Sequence, residues 1–216
     1  MKPLDWNNPD GVAPADEASD KIFTIPNLIS FIRLLLAPVF MYLLLHGNDF
    51  AAALLFAIAA ATDFVDGQIA RRTNSVSKLG QLLDPAVDRI LMICAVIGLL
   101  LVGRLPVWIV ILVLARDIVL LVGQAYLLQS RNVRGPVIFA GTSATTLLFV
   151  GLAGLLLHAP LLPGLGLVDV GWLPGFNSEP ASWGIWFIYA GLIMGIYTTF
   201  HYIIVGIRKW LKAGSK

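Results

Sequence analysis

The chain is expected to fold as an all-α, polytopic membrane bundle of six transmembrane helices, with both termini cytoplasmic. Three observations carry that expectation. Hydrophobic residues make up 58% of the sequence and charged residues 13%, with a mean hydropathy of +0.83, beyond the usage of water-soluble domains. Uncharged runs near the roughly 20 residues that cross a bilayer recur along its length. The basic residues also fall on alternate connections between those runs.

In order, 1–20 is a polar, acidic stretch carrying Asp5, Asp10, Asp16, Glu17 and Asp20 against Lys2. It has no apolar core behind a basic start, so it reads as a disordered tail and not as a cleaved signal. A single membrane domain is expected over 21–216. Its spans are placed at about 27–46, 50–71, 79–102, 106–129, 136–158 and 183–211. Asn27 stands where a helix cap would, Pro38 falls inside the first span, and Pro106 and Pro136 suit first turns. The stretch 161–181, rich in Gly and Pro, with Trp172 inside it and Trp183 just after, reads as an interfacial outer loop. The lone cysteine, Cys94, excludes an internal disulfide.

Orientation follows from charge. Under six spans, Lys2, Lys21, Arg71, Arg72, Lys78, Arg131, Arg134, Arg208, Lys209, Lys212 and Lys216 share one side, and Arg104 stands on the other. The positive-inside rule makes the first side cytoplasmic.

Within this apolar chain, 63–88 is the anomaly: DFVDGQIARRTNSVSKLGQLLDPAVD. An acid at the centre of a bilayer helix costs about 2.5–3.5 kcal/mol, so four acids need a reason. Asp63 and Asp66 are spaced i, i+3, and Asp84 and Asp88 i, i+4, so each pair shares a helix face. Two such helices joined by a short turn would aim four mutually repelling carboxylates into one cleft, where a hard cation such as Mg²⁺ or Mn²⁺ relieves the repulsion. With no His beside them, zinc is disfavoured. Gly67, Ala70 and Gly80 keep the surroundings low enough for a ligand, and Arg71 offers a fork suited to phosphate. Taken singly, these residues have blander explanations: solubilising charges, a helix cap at Asp84, an Asp88–Arg89 pair, a packing glycine at Gly67. As a set at one spacing they describe a diphosphate site.

Asp63, Asp66, Gly67, Ala70, Arg71, Gly80, Asp84 and Asp88 fill the pattern D-x2-D-G-x2-A-R-x8-G-x3-D-x3-D without a gap. In this the chain resembles the CDP-alcohol phosphatidyltransferase family. The resemblance implies a membrane enzyme of phospholipid synthesis that takes CDP-diacylglycerol and an alcohol, and releases CMP. It implies that Asp63, Asp66, Asp84 and Asp88 hold the metal, in all two ions, with Asp88 also the base. Gly67, Ala70, Arg71 and Gly80 would then meet the donor. It further implies a homodimer in the bacterial cell membrane; the charge-based orientation has the 63–88 site face the cytoplasm, and nucleic acid is not an expected partner.

The TIPNLISFIR and LDPAVDR runs look like the phosphatidylglycerophosphate synthase and cardiolipin synthase branch. The expected acceptor is therefore glycerol-3-phosphate, with phosphatidylglycerol as the alternative and an inositol phosphate less favoured. Where many relatives open span five with Gly-Lys, this chain has Gly141–Thr142, a departure that favours a lipid acceptor. Lys78, Arg116, Arg131 and Arg134 are the candidate acceptor contacts. Arg116 and Asp117 read equally as an intramembrane ion pair, and Arg131, Arg134 and Arg33 each read either as part of an acceptor phosphate pocket or as anchors for anionic lipid. Gly191 and Gly195 suggest close helix packing, and His46, His158 and His201 read as ordinary interfacial or packing residues. The competing classes are a cation pathway lined by the four acids, which would spread them through the bilayer depth, and a non-catalytic scaffold, which leaves their cost unexplained.

Overall fold

Long apolar runs punctuated by glycine and proline give six α-helices among the described residues: α1 (Ile25–Leu45), α2 (Asp49–Thr73), α3 (Lys78–Leu101), α4 (Val107–Arg131), α5 (Phe139–Leu157) and α6 (Gly184–Ala213). The computed structural model describes the backbone over 25–73, 78–131 and 139–213, and side-chain surroundings over 28–62, 86–123 and 141–205. The tail expected at 1–20 lies outside these. Each helix falls within a few residues of its expected span. Because α1 begins at Ile25, Asn27 stands inside the first turn and not at a cap. Among the described residues, Leu28–Leu45 and Gly184–Val205 are long and apolar enough to cross a membrane, and Asp49–Thr62 and Gly141–Leu157 are shorter apolar stretches.

Two compact units divide the chain, Met1–Cys94 and Ala95–Lys216. In the first, α1 packs on α2. Ala37, Phe40 and Leu44 of α1 and Ala52, Ala53, Phe56 and Ala59 of α2 are all buried, and the Phe40 and Phe56 rings stand edge to face at 5.6 Å. The polarity of α1 is inverted relative to a soluble helix. Ser30 (0% exposed) and Arg33 (1%) are inside, whereas Leu28, Phe31, Leu35 and Val39 are exposed. A helix that hides its charge and presents leucine and phenylalanine outward suits hydrocarbon and not water. The helix ends where Gly47 takes φ +77°, Gly47 N–H donating to Leu44 O and Asn48 N–H to Leu43 O. This is the paired closure that glycine permits at a helix C-terminus.

In the second unit, α5 and α6 come together through glycine. A Cβ on Gly151 would lie 2.9 Å from Gly184 O, and one on Gly154 would lie 2.8 Å from Trp183 Cζ2. Gly191 likewise admits Leu148, as expected for close membrane-helix packing. The expected outer loop is more ordered than its composition suggests. Its ends pair as a short antiparallel ribbon, β1 (Leu161–Leu162) with β2 (Ala181–Ser182). Between them Leu165 N–H donates to Gly175 O and Gly166 N–H to Asn177 O.

Candidate active site

The helix assignment puts Asp63, Asp66, Gly67, Ala70 and Arg71 on α2, and Lys78, Gly80, Asp84 and Asp88 on α3, on either side of 74–77. Both elements belong to the first unit through residue 94. Of the four carboxylates, Asp88 is the one with described side-chain surroundings; those of Asp63, Asp66 and Asp84 lie outside the described residues, as do those of Gly67, Ala70, Arg71, Lys78, Gly80 and Arg131, and Arg134 altogether. Among the described residues no three metal-ligating side chains converge.

Asp88 follows the buried Val87 and precedes the buried Leu91 and Met92 on α3. Its own carboxylate is 34% exposed, and Arg33 of α1, 1% exposed in its side chain, reaches it with Nη1 to Oδ1 at 3.1 Å. The arginine thus grips one oxygen of a partly exposed carboxylate, joining α1 to α3 across 55 residues of sequence. Sequence reasoning gave Arg33 to an acceptor pocket or to lipid anchoring and missed this partnership. The only prior signal was that an intramembrane arginine requires a counter-charge somewhere. A partly exposed, hard oxygen donor oriented by a second-sphere cation fits an oxygen-seeking divalent ion.

Arg116 sits in the second unit. Its Nη1 donates to Asp117 Oδ1 at 2.8 Å and its Nη2 to Thr145 Oγ1 of α5 at 3.4 Å, while its buried Nε has no acceptor among the described residues. Gly195 of α6 makes room for this guanidinium, since a Cβ there would lie 3.2 Å from Nε. Gly195 thus packs against another helix, as expected, by seating the arginine of α4. Thr142, at the position compared with the family's lysine, is exposed near the start of α5.

Comparison with known proteins agrees with the pattern on α2 and α3. The profile of the family described as CDP-alcohol phosphatidyltransferase matches residues 23–197. A Mycobacterium tuberculosis protein provisionally named cardiolipin synthase is 39% identical over 176 residues, 80% of this chain and 79% of that protein. The cardiolipin synthase (CMP-forming) of Streptomyces coelicolor is 36% identical over 166 residues, 71% of this chain and 77% of its own. A Bacillus subtilis CDP-diacylglycerol–glycerol-3-phosphate 3-phosphatidyltransferase is 36% identical over 111 residues, 44% of this chain and 58% of its own.

Proposed function

Because the chain belongs to the CDP-alcohol phosphatidyltransferase family, we propose that it transfers the phosphatidyl group of CDP-diacylglycerol to a glycerol-type alcohol and releases CMP. The observation that carries the chemistry is Asp88: a partly exposed carboxylate gripped at one oxygen by a buried arginine, closing a complete eight-position signature. In the proposed reaction an acceptor hydroxyl oxygen attacks the phosphorus that bears diacylglycerol. The P–O bond to CMP breaks, CMP leaves with the electron pair, and Asp88 takes the hydroxyl proton. Asp63, Asp66 and Asp84, with Asp88, are the proposed ligands of two divalent ions, Mg²⁺ or Mn²⁺. When bound, those ions would neutralise diphosphate charge and stabilise the leaving group. Arg71 is the proposed diphosphate contact, and Gly67, Ala70 and Gly80 would leave space for the cytidine. Arg33 keeps the Asp88 carboxylate in one orientation.

The relatives' names include both cardiolipin synthase and a glycerol-3-phosphate phosphatidyltransferase. Phosphatidylglycerol, giving cardiolipin, is favoured here by the relatives matched over most of the chain and by Thr142 where a phosphate-binding lysine would stand. Glycerol-3-phosphate, giving phosphatidylglycerophosphate, is supported by the shorter Bacillus match. Lys78, Arg116, Arg131 and Arg134 are the proposed acceptor contacts. The inverted polarity of α1 and the two span-length helices support a single domain of six transmembrane helices over 21–216 in the bacterial cell membrane. Its termini and site would be cytoplasmic, its assembly a homodimer.

The test is CMP release by the purified protein in lipid vesicles, from CDP-diacylglycerol with each acceptor in turn. Release is expected to need divalent metal, to stop with EDTA, to return with Mg²⁺ or Mn²⁺, and to disappear in D88N. Undiminished release by D88N would end the assignment of Asp88.

A further inference from the structure

The segment between α5 and α6, residues 161–182, does not stand away from the helices of the second unit. Trp108, in the first turn of α4, donates its indole N–H to Trp172 O at 2.7 Å, and the two rings meet edge to face at 6.0 Å. Tyr189, in the second turn of α6, donates to Pro174 O at 2.9 Å. Gly175, at φ +84°, comes so close to α6 that a Cβ would lie 3.2 Å from Ile185 Cγ2 and from Trp186 Cζ2. The Phe176 ring meets Trp186 at 5.2 Å and Tyr189 at 5.5 Å. Residues 172–176 are therefore laid against the first turn of α4 and the first two turns of α6, where the apolar stretch Gly184–Val205 begins.

A second run is hydrogen-bonded to this one. Leu165 N–H donates to Gly175 O, Gly166 N–H to Asn177 O, and the Leu167 and Val168 N–H groups to Phe176 O, while β1 and β2 tie the ends together. The donors of 165–168 are thus satisfied inside the segment, and such a backbone can leave water without stranding its N–H groups. The side chains of the run are the opposite of what water selects. Leu165 is 54% exposed, Leu167 70%, Val168 43% and Trp172 59%. Apolar exposure of this density marks a membrane or protein contact, and three observations choose the membrane. Residues 161–182 contain no Lys or Arg, only Asp169 and Glu179, so what attracts them is hydrocarbon and not lipid charge. Trp108, Trp186 and Tyr189 cluster beneath the segment, the composition of headgroup depth. Exposed apolar side chains continue along the helices it leans on, at Val107 and Ile111 of α4 and at Phe187 and Ile193 of α6. Asp169, exposed next to Val168, limits the depth, since a carboxylate resists hydrocarbon.

We propose that 161–182 is a lipid-docking hairpin. Leu165, Leu167, Val168 and Trp172 enter the boundary between headgroups and acyl chains, in the leaflet at the end where α5 finishes and α6 starts. The proposal rests on the reading of α6 as a membrane span and adds to it a non-helical segment held in the same lipid. It involves no residue of the α2–α3 signature and does not depend on which acceptor that signature serves.

In a Cys94→Ala background, Leu165→Cys, Leu167→Cys and, as a reference within α6, Ile193→Cys each carry an NBD fluorophore, one per protein. The full-length protein is reconstituted in phosphatidylcholine vesicles. All three side chains are exposed, so the label displaces little packing. Quenching is measured with iodide on both sides of the membrane, and with nitroxide lipids labelled high on the acyl chain or near its end. The labels at 165 and 167 are expected to resist iodide and to be quenched more by the shallow nitroxide than by the deep one. The label at 193 is expected to resist iodide as well, with the balance shifted toward the deep nitroxide. Iodide quenching at 165 and 167 equal to that of the free dye, with 193 protected, would overturn the docking and leave α6 a span. Protection from iodide without nitroxide quenching at 165 and 167 would show a protein neighbour, such as a second copy of the chain, and would also overturn it. Iodide access at 193 would overturn the reading of α6 as a span, and the docking with it.

Discussion

Replacing Arg33 by methionine tests whether the arginine acts through Asp88. The substitution keeps most of the buried volume, so repacking costs should be small, and it removes the cation 3.1 Å from Asp88 Oδ1. Stranding a fully buried partner would cost about 3–5 kcal/mol. Asp88, however, is 34% exposed and can take water in exchange, which brings the loss nearer the ~1.5–3 kcal/mol of a single charged hydrogen bond. At about 2 kcal/mol, kcat/KM for CMP release should fall roughly 30-fold. R33K, which keeps the charge without the planar fork, should recover part of that loss. The stability cycle gives the second readout: if the effect runs through Asp88, R33M should lower the melting temperature of the parent and hardly that of D88N. Activity of R33M within twofold of the parent, or equal melting losses on both backgrounds, would refute the reasoning.

Two further substitutions test the packing. G154A forces a Cβ to 2.8 Å from Trp183 Cζ2 and 2.9 Å from the Gly184 Cα, and should destabilise by about 1–3 kcal/mol. G195A meets the Arg116 side chain at 3.2 Å and should cost less, an order that thermal unfolding in detergent can check. For the buried Arg116–Asp117 pair at 2.8 Å, D117L should destabilise by about 3–5 kcal/mol because it strands the cation, while R116M/D117L should regain most of that. A double variant no more stable than D117L would show that the arginine does something other than pair.

The six helices were legible because long uncharged runs broken by proline, glycine and basic turns leave the chain few other arrangements in lipid. Their closures at Gly47 and Gly103 follow from glycine's access to positive φ. The family was legible because the 63–88 signature fills its pattern at every position. What could not be read lies between elements. The α5 sequence has no apolar stripe of helical period, so periodicity offers no clue that Gly151 and Gly154 are its contact points with α6. Nothing local announces that Leu161–Leu162 would pair with Ala181–Ser182 across a loop of glycine and proline. Arg33 and Asp88 are 55 residues apart, and their meeting follows from helix packing that no single-helix pattern contains.

That meeting also shows which residues decide the arrangement of helices in this chain. Exchanging one exposed leucine of α1 for another apolar residue changes little, since lipid tails receive either equally. Turning Arg33 outward would instead place a cation in hydrocarbon, at about 2.5–3.5 kcal/mol on insertion scales, and would leave Asp88 without its guanidinium. Both penalties have the same sign, so the rotation of α1 that buries Ser30 and Arg33 is favoured by its polar residues more strongly than by its apolar ones. Arg33 therefore orients α1 as well as holding Asp88, and if Asp88 acts as proposed, a substitution at Arg33 should disturb the position of α1 and the reactivity of Asp88 together.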